Sequence, residues 1–134
     1  MSGAGDKGEK NILVWIVDDE PDMRNLASMI LIGFGWKVET FESGAACLER
    51  AERLPVPNAL ILDVMMPRMS GFEVSRALRS KAEFRNTFIA FLSVLSAEKN
   101  EEKALQSGGD QFLEKCFEIE KTLRELRNTV EMRS

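Results

Sequence analysis

The sequence predicts a three-layer α/β/α sandwich built on a five-stranded parallel sheet. Short, fully apolar segments of the kind covered on both faces alternate with amphipathic helical segments. The connections are only a few residues long, which suits right-handed crossovers between neighbouring parallel strands. The 134 residues, 44% hydrophobic and 30% charged, suffice for one core of ordinary size and leave no room for a second domain.

Taken in order, Asn11 to Val17 is apolar on both alternating faces and rich in β-branched residues, as a central strand should be. Pro21 suits the first turn of a helix in which Met23, Leu26, Ala27, Ile30, Leu31 and Phe34 share a face, closed by Gly33 and Gly35. Lys37 to Phe41 mixes polar and apolar residues and fits an edge strand, and Ser43 is the expected N-cap of a short helix reaching about Arg53. After Pro55 and Pro57, Ala59 to Leu62 forms a second fully apolar strand ending at Asp63. Ser70-Gly-Phe-Glu73 has the form of a capping box and opens a helix to about Ser80, with Val74, Ala77 and Leu78 inward.

Thr87 to Leu92 is a third buried strand, running straight into Ser93. Ala97 to Ser107 is helical but has few apolar anchors beyond Ala97, Ala104 and Leu105, so it is expected to be the weakly packed, mobile helix. Gly108 and Gly109 end it, Gln111 to Glu114 forms a short strand, and Phe117 to Arg133 forms a last helix with Ile119, Leu123, Leu126 and Val130 inward. Residues 1–10, Gly-rich and charged, are expected to be a flexible leader ahead of a single domain over 11–134.

Composition narrows the function. Eighteen Lys and Arg against twenty-two Asp and Glu give a net charge of −4, which argues against nucleic acid or an anionic membrane as partner. No apolar run approaches the roughly 18 residues that span a bilayer. Cys47 and Cys116 have no metal or redox spacing and read as reduced thiols, so a cytoplasmic protein is expected. The absence of histidine excludes imidazole acid–base catalysis, Ser-His-Asp hydrolysis and any role as a phosphohistidine carrier.

In open α/β sheets the functional crevice lies beyond the carboxyl ends of the strands. The residues there are Asp18 and Asp19 with Glu20 behind them, then Asp63, Ser93 and Lys115. With Glu20 set aside, three carboxylates, one hydroxyl and one ammonium meet at one rim. Mutual repulsion within such an oxygen-only cluster argues for a hard divalent cation, Mg²⁺. A carboxylate beside that cation, faced by a lysine and a hydroxyl, has the parts of a phosphoryl acceptor, and the inferred product is an aspartyl phosphate.

The segments Val-Asp18-Asp19-Glu-Pro, Leu-Asp63-Val-Met-Met-Pro67 followed by Gly71, Leu-Ser93, and Gly-Gly-Asp-Gln-Phe112-Leu-Glu-Lys115 resemble the receiver domain of two-component response regulators. The resemblance covers nearly all of 11–133, and the intervals between these segments are also those of the family. It implies the flavodoxin-like (CheY-like) strand order 2-1-3-4-5. It implies that Asp63 is the phosphoacceptor and that Asp18 and Asp19 hold Mg²⁺ together with Asp63 and the backbone carbonyl of Met65. Lys115 would pair with the phosphoryl group, Ser93 would be the switch hydroxyl, and Phe112 would turn inward to fill the space vacated. The implied donor is a histidine kinase or histidine phosphotransfer protein. The implied output is a downstream protein, or a second copy of the chain, docked on the face of the fourth helix, fifth strand and fifth helix. Such a domain is a switch that catalyses only its own phosphorylation and dephosphorylation.

Four residues depart from the family pattern. Cys116 stands where a proline, commonly cis, usually follows the lysine, which leaves the geometry of the Lys115–Cys116 bond open. Val94 is larger than the usual neighbour of the switch hydroxyl, Met65 offers no polar side chain to hold a hydrolytic water, and Phe112 lacks the hydroxyl of the usual tyrosine. Other readings fit less well. Gly108 to Phe112 resembles a diguanylate cyclase signature, but Gln111 lacks its carboxylate. A flavodoxin-type cofactor loop would need backbone donors where Asp-Asp-Glu-Pro stands, and a haloacid-dehalogenase-type phosphatase would need Asp-x-Asp. The remaining rival is a phosphorylation-independent docking scaffold, against which every site position is filled. A stand-alone regulator, a relay intermediate and the receiver of a longer chain all remain open.

Overall fold

The structure, a computed structural model, describes residues 11–115 and 118–133. The expected leader at 1–10, Cys116 with its peptide bond to Lys115, and Phe117 as first residue of the last helix lie outside the described residues. The strands are β1 (Leu13–Val17), β2 (Lys37–Phe41), β3 (Ala59–Leu62), β4 (Phe88–Ser93) and β5 (Gln111–Glu114). The helices are α1 (Pro21–Gly33), α2 (Gly44–Arg50), α3 (Gly71–Arg79), α4 (Ala97–Gln106) and α5 (Ile119–Arg133), with a 3₁₀ turn at Ala82–Phe84. All strand pairs are parallel, in the order β2-β1-β3-β4-β5. This is the three-layer architecture and the strand order expected.

Because strand side chains alternate between faces, the sheet divides the core in two. Val14, Ile16, Ile61, Ala90 and Leu92 pack with Ala27 and Leu31 of α1 and with Leu123, Leu126 and Val130 of α5. Trp15, Val17, Leu60, Leu62, Ile89 and Phe91 pack on the other face with Cys47 of α2, Val74 and Leu78 of α3, and Ala104 of α4. Burial on both faces is why β1, β3 and β4 read as unbroken apolar runs. The caps also follow the sequence. Ser43 Oγ accepts from the Ala46 N–H at 3.1 Å, and Ser70 and Glu73 form the reciprocal box at 3.3 and 3.0 Å.

The differences have local causes. α2 stops at Arg50, short of Arg53, as the Arg50 guanidinium reaches forward to the Arg53 and Pro55 carbonyls at 2.8 and 3.2 Å and ties the chain into a turn. In α1 the buried stripe centres on Ala27 and Leu31, so Leu26 falls at its edge, 40% exposed. In α3 the inward position next to Val74 is Ser75, fully buried with Oγ donating to the Ser107 carbonyl at 2.8 Å, while Ala77 is only half-buried. Leu105, expected as an anchor of α4, points outward at 64% exposure and leaves Ala104 as that helix's one fully buried residue. β4 runs one residue later than expected and takes in Ser93; Thr87 instead donates its hydroxyl to the Pro57 carbonyl at 2.8 Å.

Candidate functional site

Four strand ends converge at the carboxyl edge of the sheet, and they carry Asp18, Asp19, Asp63, Ser93 and Lys115. Carboxylate oxygens of Asp18, Asp19 and Asp63 lie within 4.8 Å of one another. Lys115 Nζ stands 3.0 Å from Asp18 Oδ2 and 3.7 Å from Asp63 Oδ2. Asp18 and Asp63 are 3% and 5% exposed, so their charges face each other with little water between.

The chain is shaped to hold these groups. The Asp18 carboxylate accepts the Glu20 N–H at 2.9 Å, closing a turn after β1. Its backbone carbonyl accepts from Arg24 Nη1 at 2.7 Å. The Asp63 N–H still donates to the Val17 carbonyl at 2.9 Å, so that residue sits on the last rung of the sheet. Gly71 then returns against it: its N–H bonds the Val64 carbonyl at 2.9 Å, and a Cβ there would overlap the Asp63 carbonyl oxygen. Only glycine allows so close an approach.

Burial, and then the charge of Asp18, push the Asp63 carboxyl up to about 6, with Asp19 adding to the rise; Lys115 and the Met65 N–H pull the other way. For Lys115, burial opposes the charge, but hydrogen bonds to Asp18 and Glu20 and the charges of Asp63 and Asp18 outweigh it and hold the ammonium above its ordinary range. The cluster thus carries more negative charge than its lysine neutralises, and all its donors are oxygens. That set fits a hard divalent cation such as Mg²⁺.

Ser93 is fully buried at the end of β4, where its Oγ accepts the Leu95 N–H at 3.2 Å and its carbonyl accepts the Lys115 N–H at 2.7 Å. Phe112 is already turned inward, 7% exposed, with its ring 6.3 Å from that of Phe91. Met65, two residues after Asp63, and Val94, next to Ser93, are exposed. Two further carboxylates take part, Glu20, which the sequence reading sets aside, and Glu114, to which it gives no role. Glu20 Oε1 lies 3.1 Å from Lys115 Nζ, and Glu114 Oε2 accepts the N–H of Ala97, the first residue of α4, at 2.7 Å. Neither contact has a sequence signal, because each joins residues far apart in the chain.

A parallel sheet of this order, with an acidic cluster and a lysine at its carboxyl edge, defines a receiver domain. The sequence profile of the family described as Response regulator receiver domain matches residues 14–127, and the chain belongs to that family. It is 35% identical over 116 residues to the probable transcriptional regulatory protein TcrX of Mycobacterium tuberculosis (strain ATCC 25618 / H37Rv), covering 87% of this chain and 48% of that protein. It is 33% identical over 116 residues to the transcriptional regulatory protein TrcR of the same organism, covering 87% and 44%. The chain thus spans about half the length of the curated relatives it matches. Among solved structures, the chemotaxis response regulator CheY4 of Vibrio cholerae superposes with a TM-score of 0.83 at 29% identity, covering 90% of this chain and 99% of that one. The response regulator TrrA of Thermotoga maritima, solved in complex with Mg(2+)-BeF, superposes with a TM-score of 0.76 at 27% identity, covering 92% and 99%. Among the described residues no helix is long and apolar enough to cross a membrane.

Proposed function

We propose that Asp63 accepts a phosphoryl group from a phosphohistidine on a histidine kinase or histidine phosphotransfer protein, and that the chain passes the signal on by a change of shape. The observation that carries this reading is the convergence of three carboxylates within 4.8 Å, two of them buried, with Lys115 set against them. Asp18, Asp19, Asp63 and the Met65 backbone carbonyl would hold Mg²⁺. When bound, that ion supplies the positive charge that lets the three carboxylates ionise together and offsets charge on the transferred group. A carboxylate oxygen of Asp63 forms the new P–O bond while the donor's P–N bond breaks and its imidazole leaves with the electron pair. Lys115 pairs with one phosphoryl oxygen and Ser93 donates its hydroxyl to another.

Ser93 Oγ accepts the Leu95 N–H, so a move of that hydroxyl toward the phosphoryl group acts on the residues that follow it. With Phe112 already inward, the movement falls on Ser93 and the residues that lead into α4. The surface of α4, β5 and α5 is then the output face, for a downstream protein or a second copy of the chain. On this reading the working unit spans 11–134, resides in the cytoplasm and acts on no substrate but its own aspartate. Intact-mass analysis after incubation with acetyl phosphate and Mg²⁺ tests it, beside Asp63→Asn and a chelated sample. One phosphoryl group added to the wild type alone, and lost on chelation, is the expected result. No adduct on folded, metal-competent protein, with no beryllofluoride binding, would overturn it in favour of a docking scaffold.

A further inference from the structure

Glu20 occupies the N-cap position of α1, yet its side chain makes no capping bond. Its backbone is fixed from both sides, the N–H donating to Asp18 Oδ1 at 2.9 Å and the carbonyl accepting the Arg24 N–H at 3.0 Å. The carboxylate instead crosses to the end of β5 and meets Lys115 Nζ at 3.1 Å. Lys115 therefore hydrogen-bonds Asp18 and Glu20, while Asp63 at 3.7 Å lies beyond the roughly 2.7–3.2 Å of an N–H···O bond.

We propose that Glu20 is a positioning residue that holds the Lys115 ammonium toward the β1–α1 turn, off Asp63, until a phosphoryl group draws it across. This rests on the reading of Asp63 as acceptor. The three carboxylates are not equivalent partners. The side chains of Asp18 and Asp63 are 5% exposed and that of Lys115 is 7% exposed, whereas the Glu20 side chain is 63% exposed. Water can replace the ammonium at Glu20 with little loss, so the Glu20 contact is the one that yields when the lysine moves. Phosphoryl oxygens on Asp63 and the carboxylate of Glu20 compete for the same ammonium, and Glu20 sets how readily the lysine is released.

The test is the affinity for beryllofluoride, a phosphoryl mimic, measured by isothermal titration at a Mg²⁺ concentration that saturates each variant. Glu20→Gln removes the charge, and Glu20→Asp keeps the charge but shortens the reach. Asp22→Asn removes a charge from the first turn of α1, two residues away, as a control for general electrostatics. Both Glu20 variants are expected to bind the mimic about two- to fivefold more tightly, the size of one exposed ion pair, with Asp22→Asn close to wild type. In the metal-free protein both Glu20 variants are also expected to shift the NMR signal of the Lys115 ε-methylene group. Unchanged affinity in both Glu20 variants overturns the proposal. So does a gain in Glu20→Gln that Asp22→Asn reproduces and Glu20→Asp lacks, since that pattern is charge without contact. A wild type that binds no beryllofluoride overturns the acceptor reading and this proposal together, whereas failure of the variants alone leaves the acceptor reading standing.

Discussion

The chain leaves Asp63 and Ser93 from adjacent strands at the same rim, yet the two connections that follow are held in place very differently. After Asp63, Gly71 packs against the Asp63 carbonyl, and α3 begins in a reciprocal capping box with Val74, Ser75 and Leu78 buried. After Ser93, α4 begins at Ser96 with no capping bond from that residue's own side chain, buries only Ala104, and has its first amide held by Glu114 from β5. On the proposed function, an acceptor that keeps one geometry for metal and phosphoryl group gains from the first arrangement. On the same proposal, a hydroxyl that travels gains from the second, because a segment with few buried contacts shifts at low cost.

The largest effect that tests this contrast is on stability. Leu78 is fully buried on α3, and Leu78→Ala is expected to cost about 2–5 kcal/mol in urea unfolding. Leu105 is the comparable leucine of α4 but is 64% exposed, and Leu105→Ala is expected to change stability by no more than about 0.5 kcal/mol. Equal losses would mean that α4 is as firmly built as α3.

A second effect sits at the head of the firm connection and depends on pH. The folded state holds the Asp63 proton up to about pH 6, against an ordinary value of 3.8. Between those values the folded chain binds more protons than the unfolded one, so Asp63 makes stability fall as pH rises, and the loss is complete above about 6. Asp63→Asn removes that loss. The metal-free variant is expected to exceed wild type by up to roughly 3 kcal/mol at pH 7, at 1.36 kcal/mol per unit, with the gap closing toward pH 4. Lys115 keeps Asp18 and Glu20 in that variant. Mg²⁺ should stabilise the wild type and not the variant. Thermal melts across pH, with and without Mg²⁺, check both statements; a gap that does not change with pH would mean that Asp63 is not the strained charge.

What the sequence made legible, and what it hid, follows the same division. β1, β3 and β4 were plain because burial on both faces leaves no polar interruption, and the α3 cap was plain because its partners lie three residues apart. The rim was legible because each strand ends abruptly in a polar residue, and the resemblance to receivers ordered the strands. Contacts formed across the fold were not legible: Ser75 with Ser107, Glu20 with Lys115 and Glu114 with Ala97. Helical periodicity placed Leu26 and Leu105 within a turn of the buried stripe but could not say on which side of its edge they fall. The weakly anchored α4 was correctly singled out, and what holds its start was not, since the cap comes from another strand.

That borrowed cap carries the smallest effect and the sharpest test. A side-chain acceptor at a helix start is worth about 1 kcal/mol, or roughly fivefold in the local opening equilibrium. In Glu114→Ala the Ala97 N–H loses its acceptor and the positive end of the α4 dipole loses a facing charge. Hydrogen exchange in the first turn of α4 is therefore expected to quicken by about that factor, while α3 and the central strands keep their rates. Glu114→Gln, which retains an acceptor oxygen and loses the charge, should fall between. Because Glu114 immediately precedes Lys115, the bond ties the start of α4 to the same strand end that carries the lysine, and on the proposed function it is the residue through which a displacement at the site would be passed to α4. Faster exchange spread evenly over α3 and α4 would show instead that Glu114 supports the whole domain, and the contrast between the two connections would lose its main structural cause.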